Sequence, residues 1–126
     1  MTKEARMLDK KYSRLSEISK QMEMCRLSMR CWRSSENGSD GKNEGSKAYE
    51  DKLKDYEDES DALEQEMQQD FSLLRDMKYQ LILRLHYIDG MGWRDVGSEV
   101  GHEERYTRRL RDKALEEIVK KTRQDP

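Results

Sequence analysis

Proline is almost absent from this 126-residue sequence, where the only one is the last residue, Pro126. Because proline is the residue that most strongly interrupts a helix, long helices can run through the rest of the chain. Apolar residues are also scarce, at 33% of the sequence against 41% for charged residues. A compact globule has roughly half its residues apolar, so this composition excludes a large round core. Elongated helices with narrow apolar seams satisfy these limits, and we predict an all-α fold.

Cysteine and histidine are too few and too dispersed to suggest a metal site. Cys25 and Cys31 face different sides of a helix, and His86 and His102 have no acidic or thiol partner at ligand spacing. We therefore expect reduced cysteines and no metal or other cofactor. No apolar run is long enough to span a membrane and no apolar leader follows Met1, which predicts a cytoplasmic protein without a membrane partner. No catalytic constellation stands out, so we expect no enzyme activity.

The net charge of −2 conceals segments of opposite sign. Residues 1–33 hold nine basic and four acidic residues, whereas residues 47–78 hold five basic and eleven acidic ones. Residues 79–126 hold ten basic and nine acidic residues, and the basic ones cluster in the last predicted helix. An acidic protein is not a typical nucleic-acid binder, but an average over opposite patches does not exclude one.

Two heptad seams predict two long helices in the N-terminal part of the chain. The first helix runs from Thr2 to about Arg33, with seam residues Leu15, Ile18, Met22, Cys25, Met29 and Trp32. The second begins near Lys47, with seam residues Tyr49, Leu53, Tyr56, Ser60, Leu63, Met67, Asp70, Leu74 and Met77. Between them, residues 34–46 include three glycines and four serines and no large apolar residue. Because this segment can bury little, it predicts a flexible loop.

Residues 1–78 can associate in two ways. A polar loop between two long helices of opposite charge favours an antiparallel, coiled-coil-like helical hairpin. The rival is an intermolecular coiled coil, because Met24, Leu27 and Cys31 form a partial second stripe that a hairpin leaves exposed. A homodimer through this helical arm therefore stays open. No Gly or Pro separates the second helix from the C-terminal segment near Met77 to Tyr79, which predicts a continuous helix there, or else a bend that no Gly or Pro explains.

Residues 79–126 contain three helical patterns separated by glycines, the arrangement of a helix-turn-helix. The first pattern ends at Gly90 and the second at Gly101. At Gly101 we expect the left-handed conformation that glycine adopts without strain. The first stripe is Leu81, Leu85 and Ile88, and the second is Trp93, Val96 and Val100. The third comprises Tyr106, Thr107, Leu110, Ala114, Leu115 and Ile118. Trp93 is expected in the core, where the three helices meet.

This C-terminal segment resembles region 4 of bacterial sigma factors, in which a Gly-punctuated helix-turn-helix leads into a recognition helix. The matching residues are Leu83, Leu85, Tyr87, Gly90, Trp93, Asp95, Val96, Gly97, Val100 and Gly101, followed by Leu110, Lys113, Ala114 and Leu115. With its heptad-rich N-terminal part, the whole chain resembles small phage and prophage transcriptional regulators of late or structural genes. Three departures from the pattern are Glu103 in place of a Ser or Thr cap, Thr107 in place of Val or Ile, and Gly97 in place of Ala.

The resemblance implies DNA contacts by the exposed residues of the recognition helix. Base-edge contacts fall on Glu104, Arg105, Arg108 and Arg109, because arginine suits guanine and a carboxylate can accept from cytosine. Backbone contacts fall on Arg94, Tyr106, Arg111 and Lys113. The alternative is that these arginines are solvated or paired with Glu103, Glu104, Asp112 and Glu116 at helical spacing.

Three functions are compatible with these patterns. The leading hypothesis is a sequence-specific regulator of transcription that binds double-stranded DNA and is encoded by a phage. A small-terminase-like DNA-packaging protein also joins a helix-turn-helix to assembling helices. The third is a mimic of sigma region 4 that binds RNA polymerase or another protein without reading DNA.

Overall fold

The computed structural model describes residues 1–35 and 44–123, and this part of the chain is helical apart from short turns. Five α-helices follow one another in it: α1 (Lys3–Ser35), α2 (Glu44–Phe71), α3 (Met77–Leu83), α4 (Trp93–Val100) and α5 (Glu104–Arg123). A π-helical turn, Arg84–Ile88, continues α3. No strand occurs in these two ranges, which confirms the all-α fold class.

The chain divides into two compact units. The terminal unit combines residues 1–16 with residues 63–126, and the middle unit comprises residues 17–62. This division lies elsewhere than the predicted boundary between residues 78 and 79. The reason is that the first turns of α1 make long-range contacts with α5 and with the π-helical turn, as the bonds from Arg111 and Tyr87 to Asp9 illustrate.

Aromatic rings join α1, α2 and the π-helical turn within the terminal unit. Tyr12 is fully buried and meets Phe71 and Tyr87 edge to face, with ring centroids 5.3 Å and 5.5 Å apart. Its hydroxyl donates a 2.6 Å hydrogen bond to Asp70. Burial, followed by the Asp70 bond, raises the pKa of Tyr12, so the phenol stays protonated. This bond explains why a polar residue, Asp70, occupies a position in the otherwise apolar seam of α2.

The expected continuous helix through residues 77–79 is wrong, because α2 ends at Phe71. No Gly or Pro is needed for this break. The hydroxyl of Ser72 bonds back to carbonyl groups of α2, and the carboxylate of Asp76 caps α3 by accepting from the backbone N–H of Lys78 at 2.9 Å. Met77 consequently leaves the seam of α2 and is 72% exposed.

The predicted loop over 34–46 falls mainly outside the described residues, since residues 36–43 are not among them. At its edges, residues 34–35 belong to α1 and residues 44–46 to α2.

The middle unit contains the central part of the two predicted seams. On α1, Ile18 and Cys25 are buried, as their seam positions predict. On α2, Leu53 and Tyr56 are half-buried. None of the described helices combines the length and apolar character needed to cross a membrane.

Candidate functional site

Three helices of the terminal unit pack around a small core. Ile82 of α3, Val96 of α4 and Leu110 of α5 are its buried centre. The half-buried side chains around them are Tyr79, Leu85, Met91, Trp93 and Val100. Most of the predicted inward face of α5 is confirmed, with Thr107, Ala114, Leu115 and Ile118 buried as well. Tyr106, which was predicted in the same stripe, is 45% exposed and does not belong to this face. These contacts hold α5 by one side along most of its length.

The predicted inward stripe of the first helix is partly wrong. Leu81 is 46% exposed, whereas Ile82, Leu83 and Tyr87 are buried. This stretch has apolar residues on several sides, so periodicity alone could not select the inward face. The π-helical turn also inserts an extra residue, because the N–H of Asp89 donates to the carbonyl five residues earlier, at 3.0 Å.

A tight turn joins α4 to α5. Gly101 has φ 77° and ψ 33°, the left-handed conformation that was predicted. Gly97 lies close to this turn and to α5, since a Cβ atom there would be 2.6 Å from the carbonyl O of His102 and 3.0 Å from Oγ1 of Thr107. The buried Thr107 hydroxyl donates to the carbonyl of Glu103 at 2.8 Å. Two departures from the sigma pattern, Gly97 and Thr107, are therefore direct neighbours.

The four residues predicted to read bases lie together on the outward face of α5. Glu104, Arg105, Arg108 and Arg109 are all exposed. Together with Asp112 they line one open groove of about 350 Å³. Their positions repeat every three to four residues, which places them on one side of the helix, away from the core.

Of the three arginines in the groove, Arg108 forms an intramolecular ion pair, and Arg105 and Arg109 differ from it. Nη2 of Arg108 lies 3.1 Å from Oε1 of Glu104, an ion pair one helical turn apart. Neither Arg105 nor Arg109 forms an ion pair with any residue in 1–35 or 44–123. The guanidinium donors of Arg105 and Arg109 are therefore available to an external acceptor.

Arg111 lies apart from this groove, although it was predicted to contact the DNA backbone. Its side chain is only 15% exposed and bonds to Asp9 at 3.3 Å and to Asp112 at 2.6 Å. The guanidinium carbon also sits 5.0 Å from the centre of the Trp93 ring, a cation–π contact. These internal contacts occupy the guanidinium, so the prediction for Arg111 is not retained.

Trp93 packs at the junction of the three helices, as predicted, and has His86 against its face. The two rings are stacked with centroids 3.7 Å apart. Nδ1 of His86 lies 2.7 Å from the carbonyl O of Met91, which can only accept, so that nitrogen carries the proton. Burial, the largest effect, lowers the pKa of His86, and the neighbouring charge of Arg111 acts in the same direction.

The remaining predicted backbone-contact residues are accessible. Arg94 is exposed on the first turn of α4, and Lys113 is exposed on α5. Tyr106 is 45% exposed, and its ring lies 4.7 Å from that of His102. In turn, Nε2 of His102 is 3.0 Å from Nζ of Lys78. The contacts of Arg94, Tyr106 and Lys113 with the DNA backbone remain predictions.

Asp9 is the functional-site residue that sequence reasoning did not find. Its Oδ1 accepts from both the Tyr87 hydroxyl and Arg111, and these partners lie 78 and 102 positions away in the chain. No local pattern around Asp9 signals either bond, because helical periodicity describes only neighbours three or four residues apart.

Within the described ranges, no group of three His, Cys, Asp or Glu side chains is placed to hold a metal ion. Comparisons of the chain with protein-family models, with curated proteins and with solved structures found no match.

Proposed function

We propose that this chain is a sequence-specific regulator of transcription that binds double-stranded DNA, encoded by a phage, and that α5 enters the major groove. The observation that supports this most is the groove on α5. Glu104, Arg105, Arg108 and Arg109 share it and are exposed, while the opposite side of the same helix is buried. A helix fixed along one face and cationic on the other has the form that major-groove reading requires.

The contact roles follow from the chemistry of these side chains. Arg105 and Arg109 can each donate two parallel hydrogen bonds to a guanine edge without first breaking an intramolecular ion pair. Glu104 either accepts from cytosine N4 or keeps Arg108 in its present orientation. Arg94, Tyr106 and Lys113 flank the groove residues in sequence and serve as backbone contacts, which fix the position of the helix on the duplex.

The helical arm has a supporting role in this proposal. In this proposal α1 and α2 pair as the predicted hairpin, which is supported by the bonds that join Lys11 to Glu66 and Tyr12 to Asp70. The Asp9 carboxylate on α1 forms an ion pair with Arg111 of α5. The first turns of α1 therefore help to orient the helix that is proposed to read DNA. The protein acts on DNA in the bacterial cytoplasm.

Exposed apolar side chains favour a second candidate, binding to RNA polymerase or to another protein in the manner of a sigma region 4 mimic. Met77 and Leu81 lie one turn apart on α3 and are 72% and 46% exposed, and Leu73 in the preceding turn is 40% exposed. A cluster of this kind is common at protein interfaces. It is compatible with DNA binding, because α3 and the groove of α5 are separate surfaces.

Selection of bound sequences from a random duplex pool, with the full chain, tests the proposal. We expect enrichment of one motif and an affinity that falls steeply as the salt concentration rises, because phosphate contacts release counterions. A variant with Arg105, Arg108 and Arg109 all changed to Ala should lose both properties. The control changes three exposed lysines elsewhere, Lys10, Lys47 and Lys54, to Ala and removes the same total charge.

Three results would redirect the assignment. If the unmodified chain fails to bind any duplex at low salt, the DNA-reading function is wrong and the protein-binding candidate gains support. If the lysine control loses binding as fully as the arginine variant, the protein attracts DNA through its positive charge in general, and α5 does not read the sequence. A ring of eight or more chains in solution would instead favour the small-terminase-like packaging function.

A further inference from the structure

A second apolar stripe on α1 is exposed. Met24, Leu27 and Cys31 follow one another at spacings of three and four residues, and Met24 and Leu27 are 59% and 43% exposed. Ile18 and Cys25, on the other side of the same helix, are buried. At 3.6 residues per turn the exposed stripe lies nearly opposite the buried seam. Among the described residues of the middle unit, Met24 and Leu27 therefore present an exposed apolar face.

We propose that this face binds the same face of a second copy of the chain, as an antiparallel two-stranded coiled coil. With Met24 and Leu27 as successive core positions, antiparallel pairing sets Met24 of one copy against Leu27 of the other. The same register sets Lys20 opposite Cys31. This inference does not depend on the proposed DNA-binding function.

Charge complementarity selects the second copy as the occupant. In the antiparallel register, Glu23 flanks the core on one side and faces Arg30 of the second copy, and the two-fold symmetry repeats this pair. Glu23 also makes a long contact with Arg26 on its own helix, at 4.0 Å. The other flanking pair, Gln21 with Ser28, is uncharged and introduces no repulsion.

A parallel pairing of the same stripe is less favourable. It would set Lys20 against Lys20 at a core position, where two ammonium groups repel and lose water. It would also set Cys31 against Cys31 and separate Glu23 from Arg30. The antiparallel arrangement avoids the lysine contact and gains two opposite-charge pairs.

Molar mass in solution is the first test. The chain mass is 15.1 kDa, so light scattering should report twice that value at high concentration, with dissociation on dilution. Met24→Glu should weaken the dimer by roughly tenfold or more, because it removes an apolar core residue and adds like charges. Met7→Glu is the matched control, since Met7 lies on the same helix and is 61% exposed. A monomer at every concentration, or equal loss in both variants, would overturn the proposal.

A charge exchange tests the register without changing the apolar core. Arg30→Glu sets two carboxylates against each other in both symmetric pairs, so the dimer should weaken. Adding Glu23→Arg to the same chain restores opposite charges and should return the dimer toward its original affinity. If the double variant is as weak as the sum of its single changes, Glu23 and Arg30 do not face each other. Helix content measured by circular dichroism confirms that each variant is folded.

Disulfide trapping distinguishes the two orientations. In a chain with Cys25→Ser, adding Lys20→Cys brings a thiol opposite Cys31 of the second copy, and mild oxidation should give a covalent dimer. Positions 20 and 31 are too far apart along one helix to bond within a chain. The control, Lys10→Cys in the same background, should not cross-link. A covalent dimer of the chain that retains Cys31 alone would show parallel pairing and overturn the antiparallel proposal.

Discussion

The hydroxyl of Tyr87 donates a 2.5 Å hydrogen bond to the carboxylate of Asp9. Tyr87 lies on the π-helical turn that precedes α4, and Asp9 lies on the first helix, 78 positions earlier. The same carboxylate holds Arg111 of α5. Burial and the Asp9 bond raise the pKa of Tyr87, so its proton remains available for this bond. The N-terminal turns of α1 are therefore part of the unit that orients α5.

Removal of the Asp9 carboxylate should destabilise the terminal unit. Asp9→Ala leaves the buried Tyr87 hydroxyl without its acceptor and Arg111 with Asp112 alone, which costs about 1–3 kcal/mol of the free energy of unfolding. We expect the lower part of this range, because the Asp9 side chain is 35% exposed and water can replace part of the contact. Urea denaturation measures the change. Asp58→Ala removes an exposed carboxylate on α2 as a control, and an equal effect there would contradict the role of Asp9.

Substitution at Gly97 tests the closeness of α4 and α5. Alanine is the better helix former by about 1 kcal/mol, so helix propensity alone predicts stabilisation. Contact with the backbone O of His102 at 2.6 Å opposes this, because the turn must shift to admit a methyl group. We expect Gly97→Ala to lower the free energy of unfolding by about 1–3 kcal/mol.

The control for this change is the neighbouring residue on α4. Ser98 is exposed, so Ser98→Ala should be neutral or slightly stabilising. If Gly97→Ala raises the thermal midpoint as Ser98→Ala does, the close approach at residue 97 is not present in solution.

Local signals predicted several features of α4 and α5 well. The left-handed Gly101 and the buried face of α5, including Thr107, follow from backbone sterics and from a 3.6-residue period. Each of these features is determined by residues only a few positions apart. The outward position of Arg108 and Arg109 follows from the same period, once the inward face is known.

Features that depend on distant residues were not predicted. The break after Phe71 lacks the Gly and Pro signals that most clearly mark a helix end, although Asp76 is a good helix cap. Arg111 was placed at the DNA because its acceptor, Asp9, is 102 positions away. Leu81 was placed inward because tertiary packing, and not periodicity, selects among several apolar faces of α3.

His86 should make stability depend on pH. Its pKa lies below the ordinary value of 6.5 in the folded protein, chiefly because of burial. As pH falls through about 6.5, the unfolded chain therefore binds a proton that the folded chain does not bind, and the free energy of unfolding decreases. The neighbouring Arg111 opposes protonation and Asp9 favours it, but burial determines the direction.

Urea denaturation at about pH 7.5 and about pH 5.5 measures this effect above the range where most carboxylates titrate. His86→Gln should flatten the pH dependence, whereas His102→Gln leaves His86 in place and should preserve it. An unchanged pH dependence in the His86 variant would show that other groups are responsible.

Arg109 and Lys113 should differ in what their loss does to DNA binding. Arg109 lies in the α5 groove without an ion-pair partner among the described residues, so Arg109→Ala should cost about 1–3 kcal/mol on the preferred duplex and relax base choice at one position. Arg108→Ala should act at one position too, but its measured cost includes the release of Glu104 from their ion pair. Binding to a set of single-base variants of the selected motif gives these values.

Lys113→Ala is the comparison, because a lysine outside the groove meets phosphate oxygens and reads no base. It should weaken binding to every duplex by a similar factor and reduce the salt dependence by about one counterion. The two variants therefore distinguish recognition of bases from electrostatic attraction to phosphates, both on the same helix. If both flatten the motif equally, α5 does not lie in the groove with its arginines toward the bases.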